Sequence, residues 1–486
     1  MKIFKIILVT YILIVNLSVS YSADFVANVM APLLVGDINN INSLESQKAW
    51  NELDRGFAEL KRIGVHAITT DLWWGAIEKQ EGIYNWAYYD KFISLVEKNG
   101  LRWIPILSFH QLGGNVGDVG FIPIPDYIWT KHIGKPGVVD ENSLKYKSEQ
   151  GNFSREYVSA HATDYVLEDY KRFMVAFRNH FEHKAHLIDE VNISLGPAGE
   201  LRYPSYNMHD KNAGYPTRGS LQAYSDISVE SFRNFVLNKY KSIENINLNW
   251  GSNLSSVSDI YPPDPFFLDS VFYKKGDHFA NYGKDFFKWY NSSLVDHGRK
   301  VLSVAKNILN TTSTKFKGVE IGAKLPGIHW LTGSSRLAEL SAGLIHTDYQ
   351  DWYSFDSGYG YKDTLSLFKD LNKDTGLNSK VILHFTALEM NDGRGGPPVA
   401  SRAKSLVFWM AQTAQSQGII IKGENALGDE LENRQAWYNM ADALKWGNYK
   451  GITLLRYQRI VNSNNCKNSL FRLISSRAET PNMFFL

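Results

Sequence analysis

Eight short apolar runs rich in β-branched residues punctuate this chain, near residues 25–36, 65–74, 101–109, 187–196, 316–325, 381–390, 418–427 and 451–457. Helical-period stretches follow such runs at a distance, the pattern of repeated βα units. Between the first two runs, Trp50, Leu53, Phe57 and Leu60 recur at helical spacing, and Gly64 offers a left-handed stop. Tyr170, Phe173, Met174, Phe177 and Phe181 make a second stripe between the third and fourth runs. Eight parallel strands joined by crossover helices close most naturally on themselves, so the expected fold class is α/β, a (β/α)8 TIM barrel. Polar and aromatic stretches at about 110–165, 197–280 and 326–380 are expected as long βα-loop insertions after strands 3, 4 and 5.

Lys2 and Lys5 precede an apolar stretch from Ile6 to about Val19, and small residues follow at Ser20, Ser22 and Ala23. That order reads as a secretory signal peptide over residues 1–22, leaving 23–486 as one barrel domain, secreted to the outside. The apolar run is shorter than the roughly 20 residues of a spanning helix, so no membrane association is expected after cleavage. Removing two lysines leaves 50 basic and 50 acidic side chains. A neutral balance argues against nucleic acid as a partner. Cys466 is the single cysteine, so no intramolecular disulfide can form and stability must come from a large core.

In barrels of this kind the chemistry sits at the C-terminal ends of the strands. There the chain places Asp71-Leu72-Trp73-Trp74-Gly75, His110-Gln111, Glu200, Gly423-Glu424-Asn425 and Arg456. Carboxyls across a mouth lined with aromatics suit glycoside hydrolysis, in which one protonates the leaving oxygen and another activates water or attacks carbon. The residues alone carry the reading to a carbohydrate-active barrel. A lone strand-end Glu is more often a structural ion-pair partner, and a Trp pair is more often core.

Residues 196–206, Gly-Pro-Ala-Gly-Glu-Leu-Arg-Tyr-Pro-Ser-Tyr, resemble the active-site signature of the β-amylases, glycoside hydrolase family 14. Residues 110–118, His-Gln-Leu-Gly-Gly-Asn-Val-Gly-Asp, resemble a second signature, with Leu112 in place of a cysteine. Similar segments stand at 71–75, 323–330, 385–390 and 423–427, so the resemblance spans about 28–460. It implies inverting hydrolysis of α-1,4-glucosidic links in starch and maltooligosaccharides, with β-maltose released from non-reducing ends. Carried over by position, Glu200 would be the general acid and Glu424 the general base. Asp71, His110 and Asp118 would hold the terminal glucose, Asp118 on a glycine-rich lid containing Gly113, Gly114 and Gly117. Lys324 and His329 would meet the sugars on the reducing-end side. Thr386 would sit on an inner loop, with Asn425, Ala426 and Arg456 completing the contacts. Glu389 is a further strand-end carboxylate, which the resemblance leaves orienting that inner loop.

The family implies no required cofactor. Some bacterial members hold a structural calcium in an acidic cluster that Glu78 and Asp169 would match in part, and Arg172, standing where another acid aligns, argues against the ion. About 30 residues follow Arg456, too few for a starch-binding β-sandwich, so soluble starch is the expected substrate rather than raw granules. Two rivals stand beside this reading: a non-catalytic glucan-binding or sensing protein on the same fold, and a sugar hydrolase of different linkage or endo action.

Overall fold

The computed structural model describes residues 25–114, 118–310, 313–332, 336–348, 359–373, 380–393 and 401–476. The leader-like stretch and Gly117 of the glycine-rich segment lie outside these.

Eight strands alternate with eight long helices. They run β1 (Val26–Met30), α1 (Leu44–Ile63), β2 (Ala67–Trp73), α2 (Ala87–Lys98), β3 (Arg102–Ser108), α3 (Thr163–Phe181), β4 (Glu190–Ile193) and α4 (Asn281–Leu309). The second half continues β5 (Glu320–Leu325), α5 (Lys362–Leu371), β6 (Val381–Phe385), α6 (Ala403–Ser416), β7 (Ile421–Glu424), α7 (Arg434–Lys445), β8 (Gly451–Leu454) and α8 (Asn464–Ser475). Every neighbouring pair is parallel, and β1 pairs with both β2 and β8, which closes the barrel. All eight expected runs contain a strand.

The two helical stripes behave as their spacing dictates. In α1, Trp50, Leu53, Phe57 and Leu60 are buried, and Gly64 caps the helix at φ 100°, where its N–H reaches the carbonyls of Leu60 and Lys61. In α3, Tyr170, Phe173, Met174, Phe177 and Phe181 are buried against the barrel wall. The insertions occupy the connections β3–α3, β4–α4 and β5–α5, and the second carries its own helix, Asp226–Tyr240.

Alternation along the strands sorts side chains into two shells. Ile321, Ala323 and Leu325 of β5, with Val381, Leu383 and Phe385 of β6, join the apolar layer beneath the helices. The alternate positions point inward and are mainly polar: Glu190, Asn192, Lys324, His384, Lys422 and Glu424 are all buried. Low in the barrel, Glu190 accepts from Lys422 at 2.6 Å and pairs with His384 at 2.5 Å. Burial works against the Glu190 carboxylate, but these two partners hold it well below the ordinary range. Lys324 and Glu424 occupy inward positions nearer the strands' C-terminal ends, where the candidate site opens.

Candidate active site

Glu200 is carried by a turn that folds back on itself at the end of β4. Gly199 donates to the Gly196 carbonyl at 3.0 Å and Glu200 to that of Pro197 at 3.1 Å, while Ala198 and Gly199 adopt positive φ of 55° and 79°. A side chain at Gly196 would meet the Glu200 carbonyl at 2.3 Å and the Arg202 carbonyl at 2.8 Å, so only glycine permits this return. Beyond it, Leu201 donates to the Lys324 carbonyl at 2.8 Å, fixing the turn to β5. Glu424 ends β7, and its carboxylate straddles the Lys324 ammonium at 2.9 and 3.0 Å.

Glu200, Lys324 and Glu424 line one cavity of about 300 Å³ together with Asp71, His110, Asp118, Thr386, Asn425, Ala426 and Arg456. Ten of the eleven residues singled out from sequence thus meet in one place. His329 is the eleventh and does not line this cavity. It is buried, shares a 2.7 Å hydrogen bond with Ser401 Oγ through Nδ1, and stands edge-on to Trp330.

The electrostatics differ from group to group. Burial raises the Glu200 carboxyl, aided by the charge of Glu424 and opposed by Arg202, which donates to Glu200 Oε2 at 2.8 Å, and by Lys324. Burial likewise pushes Asp71 up to about 6, although Ser108 donates to it at 2.6 Å and Lys324 pulls it down. His110 is forced down to about 3 by burial and by the cations Lys324 and Arg202, so its ring is neutral. Its Nδ1 meets Ser194 Oγ at 2.8 Å and the ring packs edge-on against Trp73. Lys324 loses by burial but gains more from Glu424, Asp71 and Glu200, and stays charged.

Asp118 stands where the glycine-rich segment returns, and its Oδ2 accepts from Gly113 at 3.2 Å. Leu112, where the second signature departs from cysteine, pairs with Ile122 across the base of that segment. Thr386 Oγ1 accepts from Gly327 at 2.6 Å and so joins the loops after β5 and β6. Asn425 is turned toward β8, accepting from Leu455 at 2.7 Å. The Ala426 and Leu427 N–H groups are both taken by Glu389, at 2.9 and 2.7 Å to Oε1. Glu389 therefore braces the segment that follows Glu424, and Ala426 offers the cavity only its carbonyl and methyl.

Several further residues that line the cavity were not assigned a role from sequence. Arg202, Tyr206 and Asn207 lie inside or next to the eleven-residue motif, and Trp73 lies in the Trp pair that sequence reading weighed as core. Arg202 is buried, donates to Asn207 at 2.7 Å and sits 4.2 Å from the Tyr206 ring centroid. Asn207 in turn donates to Glu156, which burial raises to about 7. A cation two positions after a candidate acid was the available signal for Arg202; Glu156 had none, because the insertion after β3 delivers it from a distance.

The model of glycosyl hydrolase family 14 matches residues 28–475. The chain is 36% identical over 458 residues to the thermophilic beta-amylase of Thermoanaerobacterium thermosulfurigenes, covering 93% of this chain and 73% of that protein. It is 35% identical over 446 residues to the beta-amylase of Bacillus cereus, covering 91% and 72%. Among solved structures, the catalytic domain of beta-amylase from Paenibacillus polymyxa matches at TM-score 0.76 and 31% identity, over 94% of this chain and 99% of that one. Beta-galactosidase from Marinomonas ef1, 11% identical at TM-score 0.54 over 93% of this chain and 59% of that one, shares the fold alone. With a family match over residues 28–475 and relatives above 30% identity along nearly the whole length, the chain belongs to glycosyl hydrolase family 14.

Proposed function

We infer that this chain is a β-amylase, a hydrolase of α-1,4-glucosidic links in starch-type glucans. The observation that supports it is the pairing in one buried cavity of a carboxyl raised by burial, Glu200, with a second carboxylate held against a lysine, Glu424. In the mechanism we propose, Glu200 donates its proton to the glycosidic oxygen as the bond to the anomeric carbon breaks. Glu424 takes a proton from water as that water attacks the same carbon from the opposite ring face, so the configuration inverts and β-maltose is released. Lys324 orients Glu424 and supplies its countercharge. Asp71, neutral His110 and Asp118 offer acceptors and donors for the hydroxyls of the terminal ring.

The test is to follow fresh product from soluble starch by proton NMR. Wild type should give β-maltose first. Glu200→Gln and Glu424→Gln should each lose about 10²–10⁴-fold in kcat, the range a positioned acid or base contributes. Glucan binding without any product would instead establish the non-catalytic reading, and α-configured product would overturn inversion.

No cofactor enters this mechanism, and the acidic cluster does not fit a metal. Arg172 reaches Glu78 at 3.2 Å, Asp169 at 2.8 Å and Glu81 at 3.1 Å, while Lys131 reaches Asp169 at 2.7 Å. His132 and Trp74 donate to Asp169 and Glu78 at 2.9 and 2.7 Å. The carboxylate oxygens are spent on fixed cations, and a divalent ion would stand against a guanidinium. Dialysis against a chelator should leave both Tm and the rate on starch unchanged; a fall in either that calcium restores would show that the cluster binds the ion. Export is proposed on the leader-like order of residues 1–22. Among the described residues no helix is long and apolar enough to cross a membrane.

A further inference from the structure

On the outside of the barrel, remote from the catalytic cavity, a groove of about 480 Å³ runs between α6 and the end of α7. One face of α6 lines it, with Phe408, Trp409, Gln412 and Gln415 at helical spacing, and Trp446 faces them from the residue after α7. Among the described residues, no charged side chain lines it. Trp446 is 67% exposed, a high value for so large an apolar side chain, and Lys445 lies 4.4 Å from its ring centroid. The Gln412 side chain makes no hydrogen bond to the described residues, and that of Gln415 donates only to the Gly447 carbonyl at 3.0 Å, leaving its own oxygen open. Trp409 belongs to the core beneath the groove, whereas the core does not need Trp446 where it is, since burying that side chain elsewhere would remove a large apolar surface from water.

We propose that this groove is a second glucan-binding site, which holds a chain of the polymeric substrate against the helix layer while another chain end is cut in the barrel. The exposed Trp446 indole can cover the apolar face of a pyranose ring, and the neutral amides of Gln412 and Gln415 can pair with its hydroxyls; a lining of aromatic and amide side chains, with Lys445 beside Trp446, suits a polyhydroxylated carbohydrate. The site acts on residence of the enzyme at the polymer and takes no part in bond cleavage. It rests on the α-glucan reading above for the identity of its ligand.

The test compares migration of Glu424→Gln protein, with and without Trp446→Ala, in native gels containing amylopectin. Wild-type and Trp446→Ala enzymes are compared in parallel on maltopentaose, which is too short to span both sites. Trp446→Ala should weaken retardation about threefold or more, the worth of one lost aromatic contact, and leave kcat/KM on maltopentaose unchanged. Gln412→Ala should weaken retardation in the same direction. Equal retardation with and without Trp446 overturns the proposal, as does a wild-type dimer by light scattering that Trp446→Ala dissociates without altering retardation. Failure of wild type to cleave maltopentaose would strike the catalytic reading alone, because the gels report binding independently of turnover.

Discussion

Arg202 shows how much a single side chain can set in this site. Its guanidinium is buried, hydrogen-bonded to Glu200 and Asn207, and stacked on Tyr206, so it opposes the burial that raises the Glu200 carboxyl. Burial alone would hold the proton of the acid more tightly; Arg202 tempers that and fixes the direction of the carboxyl. Replacing Arg202 with Met should move the alkaline limb of the kcat/KM profile upward by about one unit or more, since an adjacent cation lowers a carboxyl by that order. The same change leaves buried carboxyls without their cation and should cost about 3–5 kcal/mol of stability. Arg202→Lys should recover part of the profile. An unchanged alkaline limb in Arg202→Met would show that Glu200 does not control it. At this scale the eleven-residue motif already held Glu200, Arg202, Tyr206 and the obligatory Gly196, but nothing in the order of residues showed that Glu156 would join them.

At the scale of the elements, the alternation of β4 through β7 decides which groups can meet. Inward positions on adjacent strands build one ionic layer, Glu190 with His384 and Lys422, and above it the pair Lys324 with Glu424. Gly322 keeps the wall of β5 thin where this lower layer crowds it: a Cβ there would stand 2.0 Å from Asn192 Oδ1 and 2.2 Å from Glu190 Oε1. Gly322→Ala should therefore destabilise by about 1–3 kcal/mol through overpacking, read as a lower midpoint in urea. A variant as stable as wild type would mean that the layer can yield. The strands and stripes were legible because burial imposes periods of 2 and 3.6 on the sequence itself. Local pattern misleads elsewhere: Asn291-Ser292-Ser293 and Asn310-Thr311-Thr312 are Asn-X-Ser/Thr triplets of the glycosylation type, yet α4 and its end bury both asparagines, and Asn291 donates to the Gly343 carbonyl at 2.7 Å. Only packing decided that.

For the whole molecule, stability and pH are linked through carboxyls that folding shifts in opposite directions. Burial raises Asp71 to about 6 and both Glu156 and Glu389 to about 7. The folded state holds these protons where the unfolded chain has released them, so their contribution is full below the ordinary carboxylate range and is lost as pH rises to about 7. Asp189 runs the other way: burial opposes it, but His66 and Arg102 hold it at about 2, so its contribution is present above the ordinary range and is lost as pH falls toward 2. Tm should therefore peak on the mildly acid side, and Glu389→Gln should flatten the decline between pH 5 and about 7. A Tm that rises steadily from pH 5 to about 8 would contradict this balance.

The sequence by itself determined the barrel and its strand count, because periodicity is a local property that survives without coordinates. It also named ten residues that share one cavity. Tertiary structure alone decided that Lys324 clasps Glu424, that Glu389 spends its oxygens on the Ala426 and Leu427 amides, that Lys131 joins Arg172 in the acidic cluster, and that His329 turns to Ser401. The reason is physical: partners tens to hundreds of residues apart become neighbours only when the sheet closes, and charge, burial and hydrogen bonding belong to neighbours in space.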